Sequence, residues 1–219
     1  MTKIKNVAPS EIESQSFAII EREFQDQTGL IGSEIDPGRF QVIRRVIHAT
    51  GDFDFAGSLL FHDQSIGAAI SSIISGRDIY IDVSMGAAGI SRSILERFGG
   101  SVRCFINDED VAERARREGK TRTETALEKL SGTDIGIIAV GNAPTALIAA
   151  MALIEAGKIA PALLVGVPVG FVNAVESKEI LAAQEYPFIT NQGRKGGTPV
   201  AVAIVNALLR LGLHASGQG

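Results

Sequence analysis

The sequence predicts an α/β protein: a three-layer α/β/α sandwich around a mostly parallel five-stranded sheet. From Arg77 onwards, short continuous apolar runs alternate with helical stretches, as in parallel strands that are covered on both faces. Before Arg77 the apolar residues recur at helical spacing. Glycine is abundant, with 24 residues, while aromatic residues make up only 5%, which favours close backbone packing and tight turns.

The N-terminal third, residues 1–76, is predicted to be helical and to pack on the sheet. The apolar residues of its first helix share one face and precede Gly29: Ile12, Phe17, Ile20 and Phe24. A second helix is predicted to start at Asp36 and Pro37, because Asp caps a helix and Pro fits its first turn. A third helix is expected over residues 65–75.

Five apolar runs rich in β-branched residues predict the strands: residues 79–83, 102–106, 135–140, 163–169 and 188–190. Helical stretches lie between and after them: residues 90–98, 108–130, 145–156, 172–185 and 200–211. Because no linker or low-complexity run interrupts this rhythm, we expect a single domain over residues 1–219, with residues 215–219 disordered. Ligands of such sheets bind at the carboxyl ends of the strands.

Composition and charge narrow the classes of partner and compartment. A net charge of −4 argues against a general nucleic-acid binder, which needs a broad basic face. The single Cys104 forms no internal disulfide, and this cysteine usage fits a reducing cytoplasm. Residues 1–7 lack a signal-peptide core, and no run reaches the roughly 20 apolar residues of a membrane span. We therefore expect a cytoplasmic protein without nucleic-acid or membrane partners.

The segment Arg44–Ala56 places His48 shortly after two arginines and shortly before Gly51, Asp52 and Asp54. Histidine is well suited to moving a proton near neutral pH, because its ordinary pKa is about 6.5. The neighbouring arginines suit an anionic substrate. The alternative is that His48 simply ends a helix, where a cation meets the negative end of the helix dipole.

Several loops after the predicted strands carry donors for anions. The strongest is Gly193–Pro199, which combines glycines, the cations Arg194 and Lys195 and a Thr-Pro helix start. Asn142 lies before a proline-started helix, and Ser91 follows a glycine-containing turn; the alternatives there are a plain helix start and a tight turn. The basic stretch 116–123 reads as solvated helix surface from which one arginine reaches a ligand. Glu176 and Lys178 are interpreted as solvated helix-surface charges.

The sequence lacks a Cys/His cluster for zinc, a nucleophile elbow, the dinucleotide fingerprint and a Walker A loop. We therefore expect no metal site and no cofactor. What remains is a pocket rich in anion donors with one acid/base group, which suits the isomerisation of a polycarboxylate.

Matching segments along nearly the whole chain resemble the precorrin-8 methylmutase family of corrin (vitamin B12) biosynthesis. The segments are Ser16-Phe17, Arg44–Ala56, Gly141–Leu147, Gly166–Asn173 with Glu176–Glu179, and Gly193–Leu208. Their joint occurrence is highly specific. The resemblance implies a flavodoxin-like fold, a homodimer and an isomerase that moves the C-11 methyl group of a tetrapyrrole polycarboxylate to C-12.

By the same resemblance, His48 matches the catalytic histidine, which protonates or hydrogen-bonds the macrocycle. Further residues match family positions that hold the acetate and propionate arms: Ser16, Arg45, Ser91 and Arg122. The segment His48–Phe53 looks like that of enzymes acting on cobalt-precorrin-8 rather than on metal-free precorrin-8X, and any cobalt belongs to the substrate. A corrinoid carrier without catalysis is the alternative, and a flavodoxin-type FMN protein is disfavoured by the scarcity of aromatic residues.

Overall fold

A computed structural model of the chain describes residues 8–218 and begins with helices, as predicted. Helix α1 covers Ile12–Thr28 and ends at Gly29. Helix α2 covers Pro37–Thr50; the Asp36 carboxylate caps it by accepting a 2.9 Å hydrogen bond from the Arg39 N–H. Two more helices follow in the N-terminal third, α3 (Phe55–Ser58) and α4 (Ser65–Ile74).

The sheet has six strands, so the prediction of five was wrong by one. The strands are β1 (Leu59–Phe61), β2 (Asp78–Ile81), β3 (Val102–Arg103), β4 (Ile135–Val140), β5 (Leu163–Gly166) and β6 (Phe188–Asn191). The predicted strands correspond to β2–β6, which are parallel to one another. The missed strand β1 pairs antiparallel with β6. Its three residues contain no β-branched side chain and lie between two helices, so sequence pattern gave no sign of it.

Seven helices complete the described chain. They are α5 (Ser84–Gly89), α6 (Arg92–Leu95), α7 (Glu109–Glu118), α8 (Arg122–Glu128), α9 (Pro144–Glu155), α10 (Ala174–Ala182) and α11 (Thr198–Ala215). The expected single helix over 108–130 is two helices. Gly119 ends α7 with φ of 66°, a left-handed conformation that favours glycine, and Thr121 then caps α8. The turn expected after the first predicted strand is the short helix α5.

Two buried clusters cover the two faces of the sheet. Alternate residues of each strand point to opposite faces, so Ile79 and Ile81 of β2 pack with α2, α4 and α11, whereas Tyr80 packs with α8, α9 and α10. Full burial of a large apolar side chain contributes about 1.5–3 kcal/mol. These clusters hold the helices against the sheet and fix the loops at its edge.

Helix α11 packs chiefly on α2, α4 and the sheet. By length and composition it is able to cross a membrane, and 61% of it is buried inside the fold. It runs through Ala215, and the N–H groups of Ser216, Gly217 and Gln218 remain bonded to carbonyls of its last turn. The hydrogen bonding of the last turn thus continues to Gln218, within the tail that the sequence predicts to be disordered, and Gly219 lies outside the described residues.

The strand order is β1-β6-β5-β4-β2-β3. From β2 the chain moves to the outer strand β3, whereas from β4 it moves the opposite way to β5. The strand order therefore reverses between β2 and β4, at the place where open parallel sheets form a ligand crevice. The loops after β2–β6 all emerge at this carboxyl edge.

Candidate active site

His48 lies in the last turn of α2, and its side chain is exposed. Its ring packs edge-on against Phe17 of α1, with 5.3 Å between the ring centroids. The guanidinium carbons of Arg44 and Arg45 lie 4.2 and 5.2 Å from the centre of the same Phe17 ring. Phe17 thus holds the imidazole beside two cations while leaving it open to a substrate.

Lys195 connects the loop after β6 to the residues that follow His48. Its Nζ lies 2.6 Å from Asp52 Oδ2 and 2.6 Å from Asp54 Oδ2. The two carboxylates raise the pKa of Lys195, and the hydrogen bond from Lys195 lowers the pKa of Asp52. The sequence predicted a donor to substrate anions here; in the structure the ammonium is bonded to two acids of the protein and brings the end of α2 to the carboxyl edge.

Arg45 is 13% exposed and lies 2.9 Å from the Glu13 carboxylate, which also lies 3.3 Å from Arg210. Burial lowers the pKa of Arg45, and the Glu13 carboxylate opposes that effect. Arg44 pairs with Glu21 in the same way. These pairs join α1, α2 and α11 next to His48.

Ser16 and Ser91 are both half-buried. Ser16 directly precedes Phe17, and its hydroxyl donates a 2.7 Å hydrogen bond to the Ile12 carbonyl. Ser91 lies just before α6, where its N–H donates to Asn206 Oδ1 at 2.9 Å. This bond holds the backbone of Ser91 between α5 and α6.

Arg122 and Arg194 are exposed, and neither forms an ion pair with a carboxylate of residues 8–218. Arg122 starts α8, which Thr123 ties to the start of α9 through a 3.3 Å hydroxyl contact with Thr145. Arg194 places its guanidinium carbon 5.2 Å from the centre of the Phe171 ring. The two cations thus stand beside the ends of β4 and β5.

Asp82 was missed by sequence reasoning. It directly follows β2, is fully buried, and accepts hydrogen bonds of 3.1, 2.9 and 3.2 Å from the N–H groups of Gly141, Asn142 and Ala143. Burial raises its pKa although these bonds oppose the shift. The sequence predicted donors to a substrate anion near Asn142. The backbone amides there already bind a carboxylate of the protein, and the Asn142 side chain is exposed. An acid directly after a buried strand was the available signal.

Lys178 was interpreted as a solvated charge, and that interpretation was wrong. Its side chain is 2% exposed, and Nζ donates to the Lys195 carbonyl at 2.8 Å and to Asn191 Oδ1 at 3.4 Å. Burial lowers its pKa to about 8. The Asn191 amide also donates to the Lys195 carbonyl, at 2.8 Å, so both side chains fix the loop that carries Lys195.

The structure brings Ser16, Arg45 and His48 together around Phe17, and it links Lys195 to this group. Asn142 follows β4, Arg122 starts the helix tied to α9 after it, and Ser91 lies between α5 and α6. A cavity of about 550 Å³ lies along the first two turns of α2, lined by Phe24 and Phe40 and reaching Arg44, one turn before His48.

Comparison with known proteins decides the family. The family model described as precorrin-8X methylmutase matches residues 11–211. The chain belongs to the precorrin-8X methylmutase family. It is 42% identical over 208 residues to the cobalt-precorrin-8 methylmutase of Priestia megaterium, covering 92% of this chain and 88% of that one. It is 40% identical over 203 residues to the precorrin-8X methylmutase of Pseudomonas aeruginosa, covering 90% and 93%.

The fold of this methylmutase family member also matches a solved structure. The crystal structure of precorrin-8X methylmutase from Thermus thermophilus superposes with a TM-score of 0.80 at 35% sequence identity, covering 95% of this chain and all of that one. The six-stranded α/β architecture therefore matches that of a methylmutase relative along nearly the whole length of this chain.

Proposed function

We propose that the protein is an isomerase of cobalamin biosynthesis that moves the methyl group from C-11 to C-12 of a precorrin-8 macrocycle. The product is then cobyrinic acid or its metal-free counterpart, hydrogenobyrinic acid. The observation that carries the proposal is the family match over residues 11–211, which includes the exposed His48 at the end of α2.

The reaction is a 1,5-sigmatropic shift within one molecule, so it needs no second substrate. The His48 imidazolium protonates or hydrogen-bonds the macrocycle and makes the neighbouring carbon a better acceptor for the migrating methyl group. A positioned acid of this kind typically accelerates a reaction about 10²–10⁴-fold. Phe17 fixes the imidazole of His48, and the exposure of the imidazole leaves room for the ring of the substrate.

The acetate and propionate arms are held by residues around the same edge: Ser16, Arg45, Ser91, Arg122, Asn142, Arg194 and Lys195. Arg122 and Arg194 are the strongest candidates, because both guanidinium groups are exposed and form no ion pair among the described residues. Arg45 and Lys195 are already paired with Glu13 and with Asp52 and Asp54. Each of the two cations has one of two roles. It exchanges its protein carboxylate for a carboxylate of the substrate, or it holds the helices and loops of the site in place.

The preferred substrate is cobalt-precorrin-8, with the cobalt carried by the substrate and no resident cofactor in the protein. The form of His48–Phe53 supports this preference, although similar relatives carry both the cobalt and the metal-free substrate in their names. We further infer a cytoplasmic homodimer without nucleic-acid or membrane partners. The five parallel strands follow the flavodoxin order 2-1-3-4-5, which supports a flavodoxin-like classification.

The test is a visible-spectrum assay run side by side with metal-free precorrin-8X and with cobalt-precorrin-8. Methyl migration shortens the conjugated system, so we expect a blue shift and faster conversion of the cobalt form. Binding with full recovery of unchanged substrate identifies a carrier instead. Conversion of neither form contradicts the proposed activity.

A further inference from the structure

Four large apolar side chains are exposed at the carboxyl edge of the sheet. The exposed fractions are 68% for Met85, 49% for Val169, 83% for Phe171 and 76% for Val172. Met85 follows β2, and the other three follow β5; these two strands lie on either side of β4. We refer to these four side chains as the apolar patch.

The backbone that carries most of the apolar patch is held firmly. The Gly197 N–H donates to the Val167 carbonyl at 2.7 Å, and the Gly170 N–H donates to the Arg194 carbonyl at 3.2 Å. Gly196 has φ of 146°, and a Cβ there would lie 2.3 Å from the Val167 carbonyl oxygen. This close packing fixes the loop after β5. The loop therefore cannot rearrange to bury the side chains of Val169, Phe171 and Val172.

The two parts of the apolar patch adjoin the start of α11. A Cβ at Gly86, next to Met85, would lie 3.1 Å from Thr198 Cγ2. A Cβ at Gly197, directly before Thr198, would lie 3.6 Å from Val169 Cγ1. Met85 and Val169 therefore flank one short stretch of chain.

The charges around the apolar patch fit an anionic rim. The Arg194 guanidinium carbon lies 5.2 Å from the centre of the Phe171 ring, and Arg194 is exposed. The next residue, Lys195, is bonded to Asp52 and Asp54, which follow the helix that carries His48. An exposed cation thus lies against the apolar patch, and the residue after it is bonded to the segment that follows the helix of His48.

We propose that the apolar patch is the platform for the flat face of a conjugated macrocycle whose rim bears carboxylates. The inference rests on the proposed function and adds the residues that bind the ring itself. The ring covers Phe171 and its apolar neighbours, while Arg194 takes a rim carboxylate. Contact with a flat ring removes apolar surface from water without a deep cavity, which agrees with the open geometry of this edge.

The apolar patch is small for contact between two protein copies. Stable protein interfaces bury about 1,200–2,000 Å² in total, several times what four side chains provide. A cation stacked on the most exposed aromatic ring also favours an anionic ligand over a second copy of the same surface. The macrocycle is therefore the occupant that the charges favour.

The test compares Phe171→Ala and Phe171→Leu with the wild type, with Ile180→Ala as the control. Ile180 is half exposed on α10, outside the apolar patch. Binding of cobyrinic acid is measured by calorimetry, and turnover is followed by the spectral assay. Phe171→Ala is expected to raise Kd and KM roughly 10- to 100-fold, as expected for loss of a large apolar contact. Phe171→Leu should retain most of the binding, and Ile180→Ala should match the wild type.

The effect is expected on KM rather than kcat, with an unchanged unfolding temperature and little dependence on salt. A Kd of Phe171→Ala equal to that of the wild type overturns the platform. A sedimentation coefficient of the variant that differs from that of the wild type also overturns it, because the apolar patch is then a contact between copies. Wild-type turnover reports separately on the proposed function. A wild type that binds cobyrinic acid through Phe171 but converts neither substrate refutes the reaction and supports the platform.

Discussion

Lys195 Nζ lies 2.6 Å from Asp52 Oδ2, so the loop after β6 is joined to the residues that directly follow the helix of His48. Asp54 receives a second bond of 2.6 Å from the same ammonium. A cation read from the sequence as a substrate donor thus joins two segments of the protein, and its substitution distinguishes the two roles.

Lys195→Met is expected to lower kcat about tenfold, because small misplacements of catalytic groups are costly. It should change KM less and the unfolding temperature little, since Lys195 is half exposed. Lys195→Arg should restore most of kcat, and Lys158→Met, at an exposed lysine elsewhere, is the control. A raised KM with normal kcat would instead identify Lys195 as a ligand of a substrate carboxylate.

The same pair has a defined response to acid. Lys195 lowers the pKa of Asp52 below its ordinary value of 3.8, so folding favours the charged carboxylate. Its stabilising contribution is present above pH 3.8 and is lost as the pH falls through the lowered pKa. The bond is therefore intact at neutral pH, where the kinetic comparison is made.

His48→Ala is expected to lower kcat about 10²–10⁴-fold, as for loss of a general acid. Binding of cobyrinic acid should change only a few-fold, because the imidazole is exposed and contributes little to the fold. His62→Ala provides the control, because His62 follows the antiparallel strand β1 and so lies at the opposite edge of the sheet. Near-normal turnover of the His48 variant would remove this residue from the mechanism.

Arg122→Gln and Arg194→Gln are each expected to weaken binding of cobyrinic acid about tenfold, as for loss of a hydrogen bond between charged groups. The loss should shrink at high salt, because exposed charges are screened. Arg116→Gln removes an exposed arginine of α7 and should have no effect. Calorimetric titrations at low and high ionic strength measure these affinities. Equal affinities for the wild type and the three variants would exclude both arginines from binding the substrate.

Lys178 should make stability depend on pH in the alkaline range. Its pKa is about 8 in the folded protein, against an ordinary value of 10.5, so between these values the unfolded chain binds more protons. The free energy of unfolding of the wild type, relative to Lys178→Met, should therefore rise between pH 8 and pH 10.5, by up to about 3 kcal/mol. Denaturant titrations at several pH values measure this difference, and a difference constant with pH would contradict a buried, desolvated ammonium.

The elements that follow from local pattern were predictable from the sequence. The five parallel strands and helix α2 with its Asp36 cap were placed correctly, because apolar periodicity and capping residues are local properties. Strand β1 was not predictable, since a three-residue run becomes a strand only through its pairing with β6. The break at Gly119 did carry a local signal, a glycine followed by Thr121 and Glu124, which the prediction overlooked.

The candidate site divides in the same way. The position of His48 at the end of α2 followed from the helix pattern. The partners of Lys195, Arg45 and Asp82 did not, because each is bonded to a residue more than 30 positions away in the chain. A sequence pattern identifies a charged residue but not the carboxylate or amide that already satisfies it.

Both edges of the sheet end in very short strands: β1 has three residues and β3 has two. An edge strand exposes unpaired backbone N–H and C=O groups to which another chain can bond, and a very short strand exposes only a few of them. Growth of the sheet by strand addition is therefore disfavoured on either side. We therefore expect the proposed homodimer to form through helices and loops, which leaves the sheet of each copy complete in itself.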